Sequence, residues 1–166
     1  MNIFFLDQCP IEAARKQVRK SAVKMVLECA QLLSTAVRSL PAAQIDPART
    51  YRATHANHPC SLWLRRSRQH YQWLVKHALE LCRIFNEKSG RPHKSQPVIE
   101  YCAGFAHSIT DRGFTLTAGD LAIQSTEAGR LAYEVFRRGP QSFQDAVAAY
   151  QKFYESKDYV IAARNN

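Results

Sequence analysis

The stretch "KMVLECAQLLSTAVR", residues 24–38, decides how the chain reads. Wrapped at 100° per residue, the segment 20–38 gathers Lys20, Lys24, Glu28, Gln31, Thr35 and Arg38 into one narrow sector. Val23, Val26, Leu27, Ala30, Leu33 and Val37 fall outside it, so the periodicity is that of an amphipathic α-helix. Glu28 lies on the polar stripe. Spacing by itself favours a solvated face on which Lys24 and Glu28 pair for about 0.3 kcal/mol. The alternative is a lone carboxylate at the centre of a basic strip that a phosphate backbone would cover.

Outward from this segment the pattern stays helical. Pro10 suits the first turn of a helix and Glu12 is favourable there, so helix is expected from Pro10 to about Leu40, with room for a break near Arg19–Ser21. Pro41 stops it. Residues 41–57 read as a connecting loop carrying Arg49, Arg52 and His55. A second long helix is expected from Pro59 to about Lys88, ended by "KSGRPHKSQP" (88–97). A shorter helix over 97–109 and two more over 120–138 and 141–158, parted by Gly139-Pro140, complete the set. Residues 2–6 form either a short strand or an extended arm on the core. Neither strand alternation nor an internal repeat is present. The expected fold is all-α: a single compact multi-helix domain over residues 1–166 with a short extended N-terminal arm.

Composition agrees with a chain that folds by itself. At 166 residues, 46% apolar and 22% charged, it can bury roughly two-thirds of its unfolded surface. Against 14 acidic residues stand 23 Lys and Arg, for a net charge of +9, which favours a polyanionic partner. The five cysteines are widely spaced with no C-x-x-C, as in reduced thiols that pack as small hydrophobes. The six histidines have no H-x-x-x-H spacing, and His55 and His58 in "THANHP" read as a turn and cap, so no metal is expected. No nucleotide-binding loop, dinucleotide fingerprint or nucleophile elbow occurs, and no cofactor is expected. The opening "MNIFFLDQCP" lacks the basic start and the length of a signal peptide or membrane span, so a cytoplasmic location without membrane contact is expected.

Two further clusters carry charge beside rings. "RRSRQHYQW" (65–73) combines Arg65, Arg66 and Arg68 with His70, Tyr71 and Trp73: cations for phosphates and rings for bases, or equally core aromatics with arginines facing water. In "YQKFYESK" (150–157), Tyr150, Phe153, Tyr154 and Lys157 share a helical side with Lys152 nearby. That is a core stripe with a basic fringe, or a wall for an opened base.

Four segments in order, "MNIFFLD" (1–7), "KQVRKSAVKMVLECAQLLSTA" (16–36), "NHPCSLW" (57–63) and "AYQKFYESK" (149–157), resemble the phage pyrimidine-dimer DNA glycosylases of the endonuclease V type. The resemblance implies a monomeric all-α enzyme of a phage-infected bacterial host that kinks double-stranded DNA and flips a base. It implies attack on the sugar C1′ by the N-terminal α-amine, with a glutamate of the first long helix stabilising the sugar cation. Glu28 falls at that glutamate, and Tyr150 to Tyr154 fall at the family's C-terminal DNA-contacting segment. Asn2 is large enough to keep Met1 in place, so the Met1 amine is the expected nucleophile. Leu27 and Gln31 stand where the family has arginines, and Arg19 and Ser21 where relatives carry Asp and His. Those departures imply a different lesion or modified base, a hypermodification enzyme, or a DNA-binding accessory protein without catalysis. The expected catalytic pair is Glu28 and Met1. The expected DNA contacts are Lys20, Lys24, Gln31, Arg65, Arg66, Arg68, Tyr150, Lys152, Tyr154 and Lys157.

Overall fold

The computed structural model describes residues 2–17, 19–41 and 45–156, with backbone alone for 19–22. Among them are seven α-helices: α1 (Pro10–Arg15), α2 (Arg19–Arg38), α3 (Pro59–Arg66), α4 (Arg68–Ser89), α5 (Gln96–Ala103), α6 (Glu127–Arg138) and α7 (Phe143–Glu155). Three short 3-10 turns join them, and no strand is present among the described residues. The expected all-α fold is what forms. No helix among these residues is long and apolar enough to cross a membrane.

The elements start and stop where local chemistry directs. Pro10 and Pro59 occupy first-turn positions of α1 and α3, where the missing N–H costs nothing. Ser142 and Asp145 cap α7 reciprocally. Gly90 ends α4 with φ of 66°, a left-handed conformation that glycine adopts without penalty.

The second long helix differs from expectation, because Ser67 breaks it into α3 and α4 with an extended backbone (φ −148°, ψ 146°). A serine hydroxyl competes well for backbone groups. Ser67 Oγ caps Gln69 N–H and accepts from Arg112 N–H at 3.0 Å, while Arg68 N–H donates to Thr110 O. His70 closes the gap: Thr115 N–H donates to its Nε2, which leaves Nδ1–H to donate to the Trp63 carbonyl at 2.8 Å. The segment 121–126 is likewise not helical, and α6 starts at Glu127 behind the cap of Thr126.

One core joins all the elements. Trp63, Tyr71, Leu33, Leu74 and Phe153 are among its fully buried side chains. α2 packs on α4, α5 and α3, while α6 pairs with α7. Four of the five cysteines are buried in this core, and Cys9 is exposed. The amino-terminal arm is threaded rather than laid on the surface: Ile3, Phe4, Phe5 and Leu6 are all buried, which a half-buried strand would not allow. Phe5 contacts the rings of Trp63, Trp73, Phe143 and Tyr150, and Phe4 those of Phe153 and Tyr154. This packing carries the start of the chain to α2.

Candidate active site where the amino-terminal arm meets Glu28

The polar stripe of α2 is covered at Glu28 and Thr35 and open at Lys24. At its C-terminal end Thr35 exchanges hydrogen bonds with Thr54, through Thr54 N–H to Oγ1 at 3.0 Å and Oγ1–H to Thr54 O at 3.1 Å. Tyr51 N–H donates to Ser34 Oγ, and Arg38 donates to the carbonyls of Pro47 and Thr50. The connecting loop therefore lies along the stripe, whose side chains satisfy its backbone.

Farther along the stripe the arm does the covering. Glu28 is only 8% exposed. Its Oε2 accepts the backbone N–H of Asn2 at 3.0 Å, and its Oε1 lies 3.3 Å from Lys24 Nζ. The solvated carboxylate that spacing favoured is thus corrected to a buried one, because the period shows which face is polar and not what packs over it.

Asn2 is anchored on its other sides too. Its Nδ2–H donates to Ala122 O at 3.1 Å, while its Oδ1 accepts from Tyr150 O–H at 3.2 Å and from Cys60 S–H at 3.6 Å. Ala122 N–H in turn donates to the Tyr150 oxygen. Burial pushes the Cys60 thiol up to about 12 and the Tyr150 phenol well above its ordinary value, so both stay protonated donors at neutral pH. Burial is also the main influence holding His58 below the usual histidine range, with Glu28 pulling the other way. His58 Nδ1 accepts the N–H of Cys60, so the neutral ring carries its proton on Nε2.

The remaining expected residues are placed as follows. Lys24 is exposed and Gln31 half-buried on the face of α2 that bears Glu28. Met1, the Lys20 side chain and Lys157 lie outside the described residues. The three arginines are tied to the protein. Arg65 donates to Ala56 O and Ser61 O, Arg68 to Ile109 O and His107 O, and Arg66 grips both oxygens of Asp120 at 3.0 and 2.7 Å. Tyr71 and Trp73, read either as rings for bases or as core aromatics, are core residues, as are Trp63 and His70. Tyr150 and Tyr154, the expected DNA-contacting aromatics, are at most 5% exposed, because α7 uses that side against Phe4 and Phe5. Lys152 on the same helix is exposed.

Sequence reasoning missed Asn2, Cys60 and Ala122 as partners at this site, and no local signal marks them, since the contacts close over 26 to 148 residues. Among the described residues no three His, Cys, Asp or Glu side chains come together as a metal site. Compared with known proteins, the chain matches no family model, no curated protein and no solved structure.

Proposed function

We propose that this protein is a DNA-acting enzyme of the N-glycosylase and abasic-site-lyase kind, working on a flipped damaged or modified nucleotide of duplex DNA with its amino terminus and Glu28. The observation that carries the reading is the 3.0 Å hydrogen bond from Asn2 N to Glu28 Oε2. Removal of Met1 would make that nitrogen the α-amine itself. With Met1 retained, three covalent bonds separate the two nitrogens, so the amine is held within about 4 Å of Asn2 N. In the processed form the amine would meet a buried carboxylate directly.

The chemistry suits that pairing. An α-amine has an ordinary pKa near 8, so an appreciable neutral fraction is present at cellular pH, unlike a lysine amine near 10. On an abasic site the neutral amine adds to the open-chain sugar aldehyde and expels water, giving a protonated imine. Loss of a C2′ proton then breaks the C3′–O bond and releases the 3′ strand as its phosphate. Both the sugar cation that precedes base loss and the iminium that follows are positive, and a carboxylate at Glu28 stabilises each electrostatically. The net charge of +9 favours the duplex as partner.

The ion pair of Lys24 with Glu28 favours a second reading, a DNA-binding protein without catalysis in which Glu28 serves only to hold Lys24. Incubation with duplex DNA bearing an abasic site, with and without borohydride, separates the two. A reduced covalent adduct that disappears on blocking the α-amine is the expected result. Salt-sensitive binding with no adduct would leave the second reading standing.

A further inference from the structure

A groove of about 690 Å³ runs beside this site, between the first half of α2, Tyr51 of the connecting loop, and the 90–95 turn that follows α4. Val23, Leu27, Tyr51 and Phe85 make its apolar floor; Lys24, Arg91 and Lys94 supply its charge, and no acidic residue lines it. Val23 and Leu27 are 46% and 38% exposed, which is unusual for aliphatic residues on a helix that otherwise buries its apolar side.

The walls are fixed in place by the fold. Tyr51 Oη and Ser95 Oγ are hydrogen-bonded at 3.0 Å. The ring of His93 meets Phe85 edge-on at 4.8 Å. Ser95 N–H donates to His93 Nδ1, so that ring is a neutral wall and not part of the charge. A groove held in this way needs no rearrangement to receive a ligand.

Two of the three charges in it are uncommitted. Where Arg65, Arg66 and Arg68 are each bonded to carbonyls or to Asp120, no hydrogen bond or ion pair among the described residues engages the side chains of Arg91 and Lys94, and both residues are exposed. Lys24, 76% exposed, stands on the groove wall with its ammonium beside Glu28. The combination of three cations with a flat aromatic and aliphatic floor matches a ligand that is anionic at one end and planar and apolar at the other.

We propose that the groove is a nucleotide-binding site, holding the phosphate of one nucleotide among Lys24, Arg91 and Lys94 and its base against Leu27, Tyr51 and Phe85. The inference goes beyond the lyase reading, because binding here requires no imine chemistry. Two sources carry this chemistry, a free nucleoside monophosphate and an unpaired nucleotide within a strand.

The test is calorimetric titration of the full chain with dTMP, dAMP, the four-residue single strand dT4, thymidine, inorganic phosphate and octyl phosphate. Saturable binding of a nucleotide is expected at an affinity at least tenfold above thymidine, inorganic phosphate and octyl phosphate. The double variant Arg91→Glu, Lys94→Glu should lower that affinity at least tenfold with an unchanged unfolding midpoint. Leu27→Ala should weaken dTMP binding several-fold while leaving inorganic phosphate as weak as before. Tighter binding of dT4 than of either monophosphate assigns the groove to a strand, and the reverse order assigns it to a free nucleotide. Absence of saturation by every nucleotide probe, octyl phosphate binding as well as dTMP, or a double variant that binds normally would overturn the proposal. Borohydride trapping is scored separately: an adduct without nucleotide binding removes this inference alone, and nucleotide binding without an adduct removes only the lyase reading.

Discussion

Tyr150, near the end of the described chain, donates its phenolic hydrogen bond to Asn2 Oδ1 at its start, 148 residues away, and accepts the N–H of Ala122 on the same oxygen. The carboxamide held in this way belongs to the residue whose backbone meets Glu28. Tyr150→Phe keeps the ring packing and deletes both hydrogen bonds. Urea unfolding should show a loss of about 1–2 kcal/mol, and amide hydrogen exchange should accelerate at Asn2 and Ala122. Unchanged exchange at those two amides would separate Tyr150 from the anchoring of the arm.

Glu28→Gln preserves shape and can still accept from Asn2 N–H, but it removes the negative charge. Under the lyase reading, adduct formation should fall by at least about a hundredfold, the range lost with a single electrostatic group. DNA affinity and the unfolding midpoint should stay close to wild type. Full trapping by this variant would exclude Glu28 from the mechanism.

Arg66 and Asp120 form a two-point ion pair in which the aspartate is only 3% exposed and also accepts from Thr117 N–H and Oγ1–H. Truncation to Arg66→Ala leaves that buried carboxylate without its counter-charge, at a cost of about 3 kcal/mol. Arg66→Lys should recover only part, since an ammonium cannot match the fork. Equal stability of all three proteins in urea would show that the pair contributes nothing net.

Gly129 is where α6 comes closest to the preceding loop. A Cβ there would lie 1.8 Å from Ile123 O and 2.7 Å from Phe153 Cδ2. Alanine is ordinarily the better helix residue by about 1 kcal/mol. Here Gly129→Ala should nevertheless destabilise by about 3 kcal/mol through overpacking, read as a lower thermal midpoint. A raised midpoint would mean that the loop yields freely.

His77 is buried, with its ring nitrogens against Pro10 O and the Gln17 amide. Burial lowers it from 6.5 to about 4. The unfolded chain therefore takes up a proton between those values that the folded chain refuses, so the His77 contribution is complete above pH 6.5 and is lost as pH falls toward 4. Its size is of the order of 3 kcal/mol. Stability measured in urea across this window should decline less in His77→Gln than in wild type, and parallel declines would assign the acid sensitivity elsewhere.

The sequence by itself determined the class of the fold and most of its segments. The apolar periods of α2, α4, α6 and α7, the prolines opening α1 and α3, and Gly90 closing α4 are local features, and helices are built from contacts three and four residues apart. The polar sector of α2 was equally legible, with Glu28 in its middle.

Only the tertiary structure decided what those polar residues meet. The break at Ser67 depends on the 110–115 loop, which takes up the hydroxyl and the neighbouring backbone. Arg65, Arg66 and Arg68 read as an open patch until the carbonyls and the carboxylate that bind them are brought in from distant segments. Glu28 is buried because four consecutive apolar residues thread the arm through the core and deliver Asn2 to it from 26 residues away. Periodicity reports the direction in which a side chain points. What stands opposite depends on long-range packing, and no window along the chain contains that information.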